Sequence, residues 1–248
     1  MGVFRKDSRG EGDPLALLRR GFFELGIPLH PHQEAQFQRY LELLLVWNPK
    51  LGLTAWTDPG EIVVHHFLDS LLVLRGGEFP SGCTVADIGS GAGFPGVPLA
   101  IVRPDIHVTL VEASRRRVAF LERLAWTLEV PVQVVWGRAE RIAHDPAWRE
   151  KFLRVVSRAV APLRVLVELC LPFLEVGGIA LFLKGQRAGE EIEEARKALY
   201  VLGGGSPVTT LVALPGTDLS RVVVAVPKVS PTPPVYPRRP GIPSKRPL

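Results

Sequence analysis

The sequence predicts an α/β chain: a seven-stranded, mostly parallel sheet preceded by a helical N-terminal part. Three observations predict it. Up to about Leu74 apolar residues recur at helical spacing, and beyond that point short apolar runs alternate with amphipathic stretches. The last two apolar runs are separated only by the turn Gly216 to Ser220, which predicts a hairpin and therefore an antiparallel strand in the sheet. The chain accordingly divides into a helical part over 1–74, an α/β core over 75–228 and a Pro/Arg-rich tail over 229–248.

Taken in order, Leu15, Leu18, Phe22 and Leu25 mark a first helix, and Phe37, Tyr40, Leu41, Leu44 and Leu45 a second after a break at Pro28 and Pro31. A third helix is expected from near Glu61, after the Asp58-Pro59-Gly60 turn. The runs TVADIG, HVTLVEA, VQVVWG, LRVVSRA and GGIALFLKG then predict parallel strands buried on both faces, joined by helices. VTTLVALP and RVVVAVPK predict the closing hairpin. The remaining SPTPPVYPRRPGIPSKRPL is too proline-rich for a sheet or helix and predicts an extended tail.

Composition narrows the function classes. At 248 residues and 46% hydrophobic, the chain suits one main domain. Its two cysteines, Cys83 and Cys170, lack metal-ligand spacing, which argues against a disulfide scaffold or a zinc site. The opening MGVFRKDSRGEGD has no apolar signal core and no run is long enough to span a bilayer, so a cytoplasmic protein is expected. A net charge of +5 hints at an anionic partner such as nucleic acid without deciding it.

The stretch DIGSGAGFPGVPLA, Asp87 to Ala100, carries the chemistry. In doubly wound sheets the first strand-to-helix turn meets a nucleotide-like ligand at the carboxyl edge. Gly89, Gly91 and Gly93 give a GxGxG spacing, while Gly91, Gly93 and Gly96 also satisfy the dinucleotide GxGxxG. Asp87 separates the two. A carboxylate beside a pyrophosphate is repelled, whereas the sulfonium and ammonium of S-adenosylmethionine suit it. Glu112, ending the next strand, is placed to accept hydrogen bonds from ribose hydroxyls in either ligand class. A parallel sheet with a reversed terminal strand also resembles the class I methyltransferase fold. That resemblance places GRAE, Gly137 to Glu140, at the adenine and SRAVAP, Ser157 to Pro162, at the reacting methyl group.

HHFLDSL, DIGSGAGFPGVPLAI, LVEASRRRVAFL, GRAE, SRAVAPL, FLKG and YPRRPGIPSKRPL, in this order from about Trp47 onward, resemble the bacterial 16S ribosomal RNA guanine-N7 methyltransferases, the glucose-inhibited division protein B family. The resemblance implies transfer of a methyl group from S-adenosylmethionine to N7 of one guanosine near the decoding region of small-subunit rRNA; the partner is expected to be that rRNA, a 30S subunit or an assembly intermediate, and the protein a monomer. It assigns cofactor contacts to Gly89, Phe94, Glu112, Ala139, Glu140 and Arg158 by motif position. WNPKLGLTA departs from the family in carrying Gly52 where asparagine is usual, which weakens any substrate role for that loop.

The residues agree with N7 chemistry on their own terms. A C5-pyrimidine methylase needs a cysteine nucleophile, and Cys83 and Cys170 sit away from the motif edge. The Asn/Asp-Pro-Pro-Tyr segment common to exocyclic-amine methylases is replaced by SRAVAP. Guanine N7 already presents a lone pair, so positioning suffices. Arg158 and Lys184 are candidates for that edge, whereas His65 and His66 open a helix, where packing or capping is the commoner role. Arg115, Arg116 and Arg117 follow the N-cap Ser114, where the helix dipole disfavours cations; they meet either RNA phosphate or solvent. Arg238, Arg239, Lys245 and Arg246 either add phosphate contacts or belong to a tail packed on the domain. The alternatives are a methyltransferase for small molecules or proteins, and an assembly factor that holds S-adenosylmethionine without catalysis.

Overall fold

The computed structural model describes residues 13–158 and 161–248. Residues 1–12 of the N-terminal stretch read above for a leader, and Ala159 and Val160 of SRAVAP, lie outside the described residues.

Helix α1, Pro14–Leu25, is capped by the Asp13 carboxylate, which accepts from Leu15 N at 3.0 Å. Helix α2, Pro31–Leu51, begins on the proline that the sequence suggested as a break. Pro31 occupies the first turn, where its missing N–H costs nothing, and Gln33 reaches back to His30 N at 3.0 Å. The third helical stretch starts two residues earlier than expected, at α3, Pro59–Ile62, because Asp58 caps it through Glu61 N at 2.9 Å. It continues through a π-helical segment, Val63–Leu68, into α4, Asp69–Leu71, and a 3₁₀ turn, Leu72–Arg75.

The seven expected strands all form: β1 Thr84–Ile88, β2 His107–Glu112, β3 Val132–Trp136, β4 Phe152–Arg158, β5 Leu174–Lys184, β6 Val208–Ala213 and β7 Ser220–Pro227. Between them run α5 Gly96–Val102, α6 Arg115–Leu128, α7 Ala139–Ile142, α8 Leu163–Cys170 and α9 Ala188–Leu202. The sheet order is β3-β2-β1-β4-β5-β7-β6; β1 to β5 are parallel, and β7 runs antiparallel to both β5 and β6. Strand order reverses between β1 and β4, so their carboxyl ends flank the crevice where doubly wound sheets bind ligands.

Alternate side chains of the inner strands feed two cores. Val85, Leu110, Leu181 and Val223 join Leu18, Phe22, Phe37, Tyr40 and Phe67 on one face; Ala86, Ile88, Phe182 and Val224 join α8 and α9 residues on the other. The N-terminal helices thus share a core with the sheet. The tail corrects the expectation of an extended segment. It folds back, forms a short helix α10, Ile242–Lys245, and packs Tyr236 and Leu248 against the second core.

Candidate functional site

The turn after β1 is built from residues that only glycine satisfies. Gly89, Gly91 and Gly93 have φ of 75°, 58° and 103°. A Cβ on Gly93 would stand 2.6 Å from the Tyr40 hydroxyl, which donates to Ala92 O at 2.6 Å and pins the turn to α2. A Cβ on Gly91 would meet nothing closer than Gly89 O at 3.9 Å, so that position faces open space. Asp87, read from the sequence as a partner for the sulfonium and ammonium of S-adenosylmethionine, is placed differently. It is wholly buried, its Oδ2 accepts from Gly96 N at 2.9 Å, and its Oδ1 has no hydrogen-bond partner. Burial pushes its carboxyl up to about 7, against the Gly96 bond and Arg158, which favour the charged form.

Glu112 closes the other side of the turn. Its Oε2 accepts from Gly91 N at 2.9 Å and its Oε1 from Ser114 N at 2.7 Å, linking the glycine turn to the start of α6. Each oxygen keeps a second acceptor site. Beyond it opens a cleft of about 510 Å³, whose walls include Ile88, Gly89, Val111, Glu112, Arg117, Ala139, Glu140, Arg158 and Leu166. The cleft therefore gathers most of the predicted cofactor residues, with Gly91 bonded to its Glu112 wall. Phe94 is placed elsewhere: it is buried between Tyr40 and His66, with ring centroids 5.3 and 4.6 Å away. Glu140 is already engaged, accepting from Arg138 Nη2 at 2.8 Å and from Gly241 N of the tail at 3.0 Å. Burial pushes its carboxyl up, and those two bonds outweigh it to leave the group below its ordinary range.

A second cleft, about 550 Å³, shares Arg158 and Ala161 with the first and is bounded by Trp56, His65, Asp69, Lys184 and Arg221. Arg158 is its hub. Nη1 donates to Asp69 Oδ2 at 3.0 Å and to His65 O at 2.9 Å, and Nη2 donates to His66 Nδ1 at 2.7 Å. Since Nδ1 accepts there, Nε2 carries the ring proton toward Thr54 Oγ1 at 2.5 Å. Burial, and then Arg158, lower the His66 imidazole to about 3, so it is neutral near pH 7. Asp69 also accepts from Arg221 Nε at 2.8 Å. Lys184 reaches the expected edge but is paired there, donating to Glu191 Oε2 and Ala161 O, each at 2.8 Å. Asp69 and Arg221 were not among the predicted site residues. The signals were a lone acid in the apolar HHFLDSL and a lone arginine opening RVVVAV.

A family model described as rRNA small subunit methyltransferase G matches residues 33–213. The chain belongs to that family. Curated members of the rRNA small subunit methyltransferase G family from Pelotomaculum thermopropionicum and Moorella thermoacetica are 43% and 44% identical to it. The first alignment covers 93% of this chain and 97% of the relative, the second 91% and 94%. A crystal structure from Agrobacterium tumefaciens, described as a predicted O-methyltransferase, superposes with a TM-score of 0.53 at 22% identity, over 65% of this chain and 81% of that one. It supports the class I methyltransferase fold, as does the sheet order.

In this member of the methyltransferase G family the predicted RNA-contacting cations separate into groups. Arg115 lies 4.0 Å from the centroid of the Trp136 ring, Arg116 is exposed, and Arg117 turns into the first cleft. The cation–π contact offsets part of the dipole cost at the helix start. Arg238 departs from the surface reading. Its backbone N and guanidinium all donate to the buried Glu168, with Nη2 to Oε2 at 2.6 Å, so its charge is neutralised inside the protein. Arg239, Lys245 and Arg246 remain exposed. No helix among the described residues is long and apolar enough to cross a membrane.

Proposed function

We propose that this chain transfers the methyl group of S-adenosylmethionine to N7 of one guanosine in small-subunit ribosomal RNA. The observation that carries the reading is the Glu112 bridge between Gly91 and Ser114 at the mouth of a switch-point cleft that shares Arg158 with a second, cation-lined cleft.

The residues of the first cleft suit S-adenosylmethionine. Glu112 offers only acceptors, which match ribose hydroxyls, and Ile88, Val111 and Leu166 offer apolar walls for a purine. When bound, S-adenosylmethionine supplies an electrophilic methyl group on a sulfonium. The protein's contribution is orientation. Glu112 fixes the glycine turn, and Arg158, held from Asp69 and His66, sets the wall between the two clefts. His66 is neutral with both ring nitrogens engaged, which matches a nucleophile that has no proton to lose. Cys170 is buried and its thiol is pushed far up by burial, which makes it a poor nucleophile.

Incubating the protein with labelled S-adenosylmethionine and, separately, small subunits, naked rRNA and bulk protein tests the reading. Label is expected in RNA of one of the first two samples. Label in protein alone favours the protein-methylating alternative, and binding of S-adenosylmethionine without transfer favours the assembly factor.

A further inference from the structure

The basic tail is built into the protein in a way that a flexible RNA-binding arm does not require. Glu168 on α8 is completely buried, and three donors of Arg238 converge on its carboxylate: backbone N at 2.8 Å, Nε at 2.9 Å and Nη2 at 2.6 Å. Three residues on, Gly241 N donates to the buried Glu140 of α7 at 3.0 Å. Upstream, the Arg149 guanidinium donates to Thr232 O at 2.7 Å and Tyr236 O at 2.9 Å, and His144 Nε2 meets Pro237 O at 2.7 Å.

The two acids that receive the tail sit on the two helices flanking the first cleft. Glu140 itself lines that cleft, Leu166 and Leu169 line it from the helix that carries Glu168, and Ser244 of the tail supplies a further part of the wall. The tail is therefore anchored to both α8 and α7, and Ser244 is the tail residue that reaches the cleft wall. A fork-to-carboxylate pair is directional, so the pair fixes the tail in position as well as neutralising charge.

We propose that the tail at Ser244 is a fixed part of the wall of the S-adenosylmethionine site, with Arg238 and Glu168 as the positioning residues that hold it. This rests on the cofactor reading above. It assigns Arg238 to cofactor affinity and leaves phosphate contact to its exposed neighbours. A wall held in advance spares the ligand the cost of ordering it, so freeing the wall weakens binding without touching any ligand-facing group.

The test compares wild type, R238Q, R238K and S244W for S-adenosylmethionine affinity by calorimetry, for affinity and salt dependence on naked small-subunit rRNA, and for thermal midpoint. R238Q is expected to weaken S-adenosylmethionine binding by roughly tenfold through the lost preorganisation. R238K, which keeps the charge without the fork, should fall between wild type and R238Q. RNA affinity and its salt slope should stay at wild-type values in both. S244W puts bulk on the wall and leaves the ion pair intact, so it should weaken the same binding even if R238Q fails to fold. Wild-type S-adenosylmethionine affinity in S244W and in a folded R238Q, or R238 variants that lose RNA affinity and salt slope alone, overturns the inference. A wild-type protein that binds no S-adenosylmethionine removes the cofactor reading, and this inference with it.

Discussion

Arg158 and Asp69, distant in sequence, meet at 3.0 Å where β4 ends against α4, with side-chain exposures of only 10% and 6%. The same carboxylate takes Arg221 from β7 at 2.8 Å. One acid thus balances two cations beside both clefts, and burial still holds the Arg158 guanidinium below its usual value, against the pull of Asp69. Removing the acid leaves both cations uncompensated. Asp69→Ala is therefore expected to destabilise the fold by about 3–5 kcal/mol, and Asp69→Leu combined with Arg158→Met to recover most of that loss. Urea unfolding of the three proteins checks it; a double variant no more stable than Asp69→Ala argues against the pair as the cause.

Glu112 should behave differently. Its carboxylate serves two backbone N–H groups and faces the cleft, so Glu112→Ala leaves both donors without their partner and loosens the glycine turn. A stability loss of about 1–3 kcal/mol is expected, together with markedly weaker S-adenosylmethionine binding. Unchanged titration of S-adenosylmethionine would remove Glu112 from the site.

Asp87 predicts a pH dependence opposite to that of most carboxylates. Its folded value of about 7 lies above the ordinary 3.8, so between those limits the folded state holds a proton that the unfolded state releases. The contribution is present at low pH and is lost as pH rises through about 7. His66 works the other way. Its folded value of about 3 lies below 6.5, so its contribution is present above pH 6.5 and is lost as pH falls toward 3. Asp87→Asn should therefore gain on wild type from pH 4 to 8 by a few kcal/mol in order of magnitude. Denaturation across that range checks the sign, and a constant difference would contradict it.

Much of this was legible in the sequence. The seven strands and the closing hairpin follow from apolar runs and turn lengths, which are local signals, and the glycine turn follows from residue type. What stayed hidden depends on pairs far apart in the chain. Nothing local in PRRPG marks Arg238 as the partner of Glu168, 70 residues away. Asp87 shows its type and strand position in the sequence but not its depth, which comes with the packing of α5 at Gly96 against it. Pro31 was ambiguous because proline breaks a helix interior and begins a helix equally well.

The exposed cations carry the RNA prediction. Neutralising Arg116, Lys245 and Arg246 together should lower affinity for small-subunit rRNA and reduce the salt slope by up to about one unit for each phosphate left unneutralised. S-adenosylmethionine affinity should not change. A slope equal to wild type would show that RNA approaches another face.

The central claim is methylation at guanine N7 by positioning alone. Small-subunit rRNA methylated in a single turnover, then reduced and treated with aniline, tests it most directly, because an N7-methylated guanosine opens under reduction and the strand cleaves there. Cleavage is expected at one guanosine and in proportion to the incorporated label, with a rate nearly flat from about pH 6.5 to 8.5 since no base is titrated. Label incorporated without cleavage, or a rate that rises with a histidine-like midpoint and is abolished in His65→Gln or His66→Gln, would contradict it.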